Sequence, residues 1–168
     1  MFQGFGRHYI RDIVYAANDG MVTTFAVVAS VRGADLPGVI VLALGFANLA
    51  ADGLSTGLGN YLGIKSERAT ELQDRYNEWS ETMHAAKHGA VTWAAFVVAG
   101  LFPVLPFFWR MSPNSTFNLS VILTGVMMFT VGSARTFVTK RSARRGGLEM
   151  PIVGALAGAA AFLARMGR

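Results

Sequence analysis

The sequence predicts an all-α membrane protein in which five helices cross the bilayer. Of its 168 residues, 52% are apolar and 15% are charged, whereas about a quarter of the residues in soluble domains are charged. Five apolar runs are each long enough to cross a hydrocarbon layer of roughly 30 Å, which takes about 20 helical residues. The backbone must be helical there, because lipid offers peptide groups no hydrogen-bond partner.

The five predicted spans belong to a single transmembrane domain of residues 1–168. In chain order they cover residues 10–31, 37–63, 89–109, 117–138 and 148–165. Pro103 and Pro106 are predicted to kink or end the third helix, since proline has no backbone N–H to donate. The longest connection, residues 64–88, is polar and lies between the second and third spans.

Basic residues predict the orientation of the chain. One side of the membrane would hold Arg7, Arg11, Lys65, Arg68, Arg75, Lys87, Arg135, Lys140, Arg141, Arg144 and Arg145. By the positive-inside rule this side is cytoplasmic, so the N-terminus and residues 64–88 face the cytoplasm of a multi-pass protein of the cell (inner) membrane. The net charge of +5 therefore reflects topology and contact with the lipid bilayer, and nucleic acid is not an expected partner.

Glycines recur at four-residue spacing, a pattern that lets membrane helices approach closely. Close packing is the favoured interpretation, and a direct role in transport is the alternative. The pairs are Gly53 and Gly57, Gly59 and Gly63, and Gly154 and Gly158.

Asp19 is the most informative single residue, because it lies in an apolar run from Ile13 to Val31. An ionised carboxylate at the centre of such a run costs about 2.5–3.5 kcal/mol by insertion scales. Asp19, with its neighbour Asn18, is therefore expected to face a polar cavity or a partner.

The second span carries a polar stripe, which suits a water-lined path or a helix–helix interface. Asp52 is either part of that path or a buried structural carboxylate. The stripe consists of Asn48, Asp52, Ser55, Thr56 and Asn60.

One carboxylate is a poor site for a divalent ion. If two copies of the first helix met on a two-fold axis, two Asp19 carboxylates would converge, and such a pair can share a proton or hold a cation. The chain has no Cys, so the ligands would be carboxylate, amide and hydroxyl oxygens. These suit Mn²⁺, Fe²⁺, Mg²⁺ or Ca²⁺ better than Cu⁺ or Zn²⁺.

Residues 64–88 are predicted to form a short cytoplasmic amphipathic helix with one acidic face. Its acids are Glu67, Glu71, Asp74, Glu78 and Glu81. The first interpretation is a solvated face that neighbouring Lys65, Arg68 and Arg75 partly neutralise. The second is a metal-collecting platform made by Glu78, Glu81 and His88.

Several motifs resemble the vacuolar iron transporter family. The first span begins with Arg11-Asp12-Ile13 and continues with NDGMVTTFAVV at 18–28, and the second contains ANLAADGLS at 47–55. PVLPF at 103–107 and GLE at 147–149 are also similar, so the resemblance covers nearly the whole chain.

The resemblance implies a five-span homodimer that exports Fe²⁺ or Mn²⁺ in exchange for protons, along a path between the protomers. Asp19 matches the intramembrane metal- and proton-binding aspartate of the family. Glu78 and Glu81 best match the first glutamate pair of its cytoplasmic metal-binding domain.

Three departures mark this chain as a short, bacterial-type member. Thr56 stands where the family commonly has Met, and Asn60 stands where it commonly has an acid. The cytoplasmic segment is too short for the full multi-glutamate domain, so high-capacity metal loading is not expected. Loss of the soft Met ligand favours Mn²⁺ relative to Fe²⁺.

The predicted function is export of a divalent metal, with protons as the counter-substrate and no resident cofactor. No nucleophile–base set is apparent, so an enzyme is not expected. The alternatives are a membrane scaffold whose acidic helix recruits a partner, and a transporter of another cation.

Overall fold

The described part of the protein is entirely helical. In a computed structural model, residues 2–72, 77–109 and 111–139 are described, together with 152, 154–156 and 159 of the last predicted span; the side chains of 2–8 and 135–139 are not. The helices are α1 (Phe2–Gly33), α2 (Gly38–Leu72), α3 (Glu78–Leu101) and α4 (Pro113–Thr139). A short 3₁₀ helix, Leu105–Phe108, follows α3.

Three of the described helices are long and apolar enough to cross a membrane. These segments are Tyr9–Gly33, Gly38–Leu72 and Pro113–Ala134, and they correspond to the first, second and fourth predicted spans. For the fifth predicted span, the few described residues between 152 and 159 are helical.

The third predicted span differs from the structure at both ends. Helix α3 begins at Glu78 rather than at residue 89, and it ends at Leu101 rather than at residue 109. It ends there because Pro103 has no N–H for the carbonyl of Ala99, which instead accepts from the N–H of Phe102 at 3.3 Å. The freed carbonyl of Pro103 accepts a 2.6 Å hydrogen bond from Ser120 Oγ of α4.

Residues 64–88 do not form the single amphipathic helix that the sequence predicted. Their first part continues α2 to Leu72, and their last part starts α3 at Glu78. Asn77, between them, is extended (φ −100°, ψ 103°), and its side chain accepts a hydrogen bond from the N–H of Ser80. An Asn cap of this kind starts a new helix, so Glu67 and Glu71 lie near the end of α2, whereas Glu78 and Glu81 lie at the start of α3. Asp74 and Arg75 lie outside the described residues.

Helices α2 and α3 form an antiparallel pair, and α1 packs against both. A Cβ on Gly57 would lie 2.9 Å from Trp93 Cβ, which leaves room only for glycine at this crossing. At a second crossing the backbone of Gly20 in α1 lies against the carbonyl of Phe96 in α3. Half of the apolar span of α1 is buried, against 22% for α2 and α4, so α1 is more enclosed than either of these helices.

The glycine pairs have different surroundings. Gly53 and Gly57 pack against α3, and Gly154 packs against Met128 of α4, as the four-residue spacing predicted. Gly59 and Gly63 instead face open space, with no atom within 4 Å of an added Cβ in the described structure. Gly158 lies outside the described residues.

Candidate functional site

Asp19 lies half-buried on α1, beside the crossing of α1 and α3 at Gly20. Its backbone carbonyl accepts a 2.9 Å hydrogen bond from Thr23 Oγ1. The negative charge of Asp52, on α2, acts electrostatically on the carboxyl group of Asp19. These two acids are 33 positions apart in the sequence (52 − 19).

Side-chain hydrogen bonds join α1 to α2 one helical turn from these two acids. The amide nitrogen of Asn48 donates to Thr23 Oγ1 at 3.2 Å and to Thr24 Oγ1 at 3.3 Å. Thr24 is completely buried, so the pairing fixes how far apart the two helices are near Asp19. Asn48 was recognised as part of the polar stripe, but nothing in the sequence showed that it joins the threonines of α1.

Asn18 contributes a buried oxygen with no partner. Its Oδ1 atom is shielded from solvent and has no hydrogen-bond donor among the described residues. A buried carbonyl oxygen left in this way is unfavourable by about 1–3 kcal/mol. A water, a proton donor or a cation next to Asp19 would satisfy it.

The polar stripe of α2 has an exposed part and a part that packs against α3. Asp52 and Ser55 are exposed in the single chain, while Thr56 and Asn60 are half-buried. The amide of Asn60 donates to Thr92 Oγ1 of α3 at 2.7 Å, so this residue joins two helices. Asp52 and Ser55 lie on the uncovered face that continues to Gly59 and Gly63.

Glu78, Glu81 and His88 are not brought into one cluster. Glu78 is exposed, and Glu81 is paired with Arg68 of α2 at 3.7 Å. That ion pair agrees with the first interpretation of the acidic segment, in which neighbouring basic residues neutralise it. No group of three or more His, Asp or Glu side chains placed to hold a metal ion occurs within the described residues.

His88 is instead buried against α1. It is 6% exposed, and its Nδ1 atom is hydrogen-bonded to the carboxylate of Asp12, which is 5% exposed. The rings of Tyr9 and His84 lie 4.4 Å and 4.8 Å from the His88 ring. The sequence did not indicate this pairing, since the two residues are 76 positions apart and belong to different helices.

Three long apolar helices, two of which carry an aspartate inside the apolar span, are typical of a polytopic membrane protein. The chain belongs to the VIT family, whose model matches residues 10–86 and 77–165. The family recognised from the first and second helices is thereby confirmed.

Several characterised relatives are similar over most of the chain. Vacuolar iron transporter 1 of Eucalyptus grandis is 26% identical, over 91% of this chain and 84% of the relative. Vacuolar iron transporter 1 of Arabidopsis thaliana is also 26% identical, over 91% of this chain and 83% of the relative. A vacuolar iron transporter of Toxoplasma gondii is 40% identical over a shorter stretch, 42% of this chain and 24% of the relative. These relatives are transporters and not enzymes, in agreement with the prediction.

The relatives contain residues that this chain lacks. Their alignments extend over 208 positions, at least 40 more than the 168 residues available here (208 − 168). The family match also falls into two pieces that meet at residues 77–86, where α3 begins. Both observations agree with a shortened segment between α2 and α3.

Proposed function

We propose that the protein is a homodimeric transporter that moves Fe²⁺ or Mn²⁺ out of the cytoplasm in exchange for protons. The observation that carries the proposal is that two membrane-length helices are joined by the hydrogen bonds of Asn48, one helical turn from an aspartate on each helix, Asp19 and Asp52. Two carboxylates at that depth are too costly to keep unless they bind a cation or protons. Membership of the VIT family and relatives named iron transporters support a metal ion as that cation.

The oxygen atoms around Asp19 suit a hard or intermediate divalent ion. We expect the ligands from one chain to be the carboxylates of Asp19 and Asp52 and the Oδ1 atom of Asn18, which has no hydrogen-bond donor among the described residues. Ser55 and Thr56 lie one turn further along α2. Oxygen ligands favour Mn²⁺, Mg²⁺ or Ca²⁺ and also accept Fe²⁺. Thr56 supplies a hydroxyl in place of the thioether common in the family, so we expect a stronger preference for Mn²⁺.

The uncovered face of α2 supports a second copy of the chain beside the site. Asp52 and Ser55 on this face are polar, and Gly59 and Gly63 leave room for close approach. Lipid cannot cover an ionised Asp52 without a large cost. A two-fold partner would cover the face and double the number of carboxylates.

We propose that the N-terminus and the turn between α2 and α3 face the cytoplasm of the cell (inner) membrane. The basic residues on this side, which include Arg68 and Lys87, follow the positive-inside rule. Glu78 would lie at the cytoplasmic entrance, exposed and able to attract cations. Export would then carry the ion past Asp52 and Asp19 to the opposite side of the membrane.

The proposal is tested by metal uptake into proteoliposomes with an imposed pH gradient. Asp19→Asn keeps the size of the side chain and removes its charge, so it should abolish metal flux and coupled proton movement. Asp35→Asn is the matched control, because Asp35 is exposed and pairs only with Arg32 at 3.3 Å in the described structure. Flux of another divalent ion alone would identify a different substrate.

Normal flux in Asp19→Asn would contradict the assignment of Asp19. Absence of flux in correctly folded wild-type protein would contradict transport itself and would favour the membrane-scaffold alternative. That alternative predicts that Glu78→Gln disrupts partner recruitment while Asp19→Asn has no effect.

A further inference from the structure

An apolar groove runs along the α2–α3 pair. One cavity of about 320 Å³ is lined by Tyr61 of α2, and a second of about 350 Å³ is lined by Phe46 of α2 and Val97 of α3. Both are lined by Leu54 and Trp93, so they adjoin and form one groove, the α2–α3 groove. It follows α2 for about 22 Å, which is enough for one acyl chain of a leaflet whose hydrocarbon is about 15 Å thick.

The groove lies on a different side of α2 from the uncovered face that carries Asp52. Leu54 follows Asp52 by two residues, and Tyr61 follows Gly59 by two residues, which on a helix is a rotation of about 200°. Trp93 remains 44% exposed in the groove. A second copy of the chain on the uncovered face would therefore leave the groove open to the bilayer.

A lysine lies at the end of the groove nearest the turn between α2 and α3. Lys65 follows Tyr61 by four residues, so the two share one side of α2. Lys65 is half-buried and has no ion pair among the described residues, since Glu81 pairs with Arg68 instead. A lysine in such a place extends its apolar stem along the surface and keeps its ammonium group in the polar layer. The groove thus ends at a positive charge with no acidic partner in the described structure.

Exposed apolar side chains continue the α3 side of the groove beyond this level. Trp79 is 76% exposed and Met83 is 43% exposed. They precede Ala86, which lines the groove, at steps of four and three residues, so all three share one side of α3. Tryptophan is enriched where a membrane meets water. An apolar channel, a positive charge and an interfacial aromatic ring follow one another in the order that suits a phospholipid.

We propose that the α2–α3 groove binds one phospholipid with an anionic headgroup. Its acyl chain lies along Tyr61 and Trp93, and its phosphate group contacts the ammonium group of Lys65. One lysine at a membrane surface favours anionic lipid about fivefold, whereas a neutral apolar molecule would leave Lys65 without a partner. The orientation proposed above puts this site in the cytoplasmic leaflet, but lipid binding does not depend on metal transport.

Fluorescence quenching by brominated lipid tests the proposal. The chain has three Trp, so Trp79→Phe combined with Trp109→Phe leaves Trp93 as the reporter. In vesicles of phosphatidylcholine brominated on its acyl chains, Trp93 should be quenched. Unbrominated phosphatidylglycerol with chains of the same length should restore the fluorescence at a mole fraction about fivefold lower than unbrominated phosphatidylcholine does.

Two lysines at the same end of the α2–α3 pair provide the matched comparison. Lys65→Gln in the Trp93 reporter should abolish the fivefold preference for phosphatidylglycerol. Lys87→Gln removes the same charge, but Lys87 is exposed and rotated by about 100° from Ala86 of the groove, so the preference should remain. An equal loss of preference in both variants would indicate general surface charge and would overturn the proposal.

Three further outcomes would also overturn the proposal. Equal recovery of Trp93 with both lipids would mean ordinary contact with bulk lipid. No quenching of Trp93 would mean that protein covers the groove, as a second copy would. A fivefold preference in a reporter that keeps only Trp109, which follows the 3₁₀ helix at the other end of α3, would mean that the preference is not specific to the groove.

Native mass spectrometry of the wild-type chain decides the matter if the Trp variants do not fold. Protein released from micelles that contain equal amounts of the two lipids should retain one phosphatidylglycerol per chain, and Lys65→Gln should lose it. Equal retention of both lipids, or retention of neither, overturns the proposal. Because the readout is bound lipid, these results are independent of whether the protein moves a metal ion.

Discussion

At the scale of single residues, the polar groups of α1 and α2 are positioned by contacts that the surrounding apolar surface cannot replace. Thr23 bonds to the carbonyl of Asp19, and Asn48 bonds to Thr23 and Thr24. Hydrogen bonds between membrane helices contribute about 0.6 kcal/mol on average. The cluster therefore orients Asp19 more than it stabilises the fold.

Asn48→Ala should consequently have a small effect on stability and a larger effect on transport. We expect the free energy of unfolding to fall by about 0.6–2 kcal/mol, while metal uptake falls further because α1 and α2 lose their fixed spacing. Thermal unfolding in detergent and uptake in proteoliposomes measure the two effects. Ser55→Ala is the control, because Ser55 lies on the uncovered face and its loss should leave the stability of the single chain unchanged. An equal loss of stability in Asn48→Ala and Ser55→Ala would contradict the role of Asn48.

The second prediction at this scale is that Thr56 influences the preference between Fe²⁺ and Mn²⁺. Thr56→Met introduces a soft thioether beside the carboxylates, so the ratio of Fe²⁺ to Mn²⁺ uptake should rise. Competition between the two ions for uptake measures the ratio. Thr56→Leu has a side chain of similar size without sulfur; if it changes the ratio as much as Met does, the soft-ligand explanation is wrong.

At the scale of helices, close backbone contact between α1 and α3 determines where Asp19 lies. A Cβ on Gly100 would meet the carbonyl oxygen of Gly20 at 2.9 Å and Thr24 Oγ1 at 3.1 Å. Neither neighbour can move far, because one is backbone and the other is bonded to Asn48. The backbones of the two helices are therefore in close contact here.

Gly100→Ala should therefore destabilise the protein by about 1–3 kcal/mol, the usual effect of overpacking. Gly125→Ala is the control, since an added Cβ there meets no described atom within 4 Å, and alanine favours a helix over glycine by about 1 kcal/mol. Melting temperatures in the same detergent compare the two variants. Equal melting temperatures would contradict the close packing of α1 and α3.

The helices themselves were largely predictable, but their junctions were not. Apolar length located α1, α2 and α4, because lipid compels long apolar runs to be helical. The periodicity of residues 64–88 continued past Asn77, so it concealed the new helix that the Asn77 cap starts. Motifs indicated Asp19 and Asp52 as site residues, whereas the pairing of Asp12 with His88 depends on the packing of α1 against α3, which no local pattern specifies.

At the scale of the whole molecule, the described residues leave one side of α2 exposed. Its apolar span is only 22% buried, and Asp52, Ser55, Gly59 and Gly63 lie along the uncovered surface. A surface with an acid at membrane depth is poorly matched to lipid. The small residues beside it are typical of helix–helix contact in membranes.

A two-fold contact along this face predicts that Gly59 lies near Gly59 of the partner subunit. Because the chain has no Cys, Gly59→Cys introduces a single thiol that can cross-link only to a second copy. Two cysteines form a disulfide when their Cα atoms are about 4.4–6.8 Å apart, so mild oxidation in native membranes should give a covalent dimer. Val126→Cys is the control, because Val126 is exposed on α4 and away from the proposed interface. Equal cross-linking of both variants would indicate random collision between molecules. Cross-linking of Val126→Cys alone would place the dimer interface on α4. Asp52 would then lack the partner that the transport proposal requires.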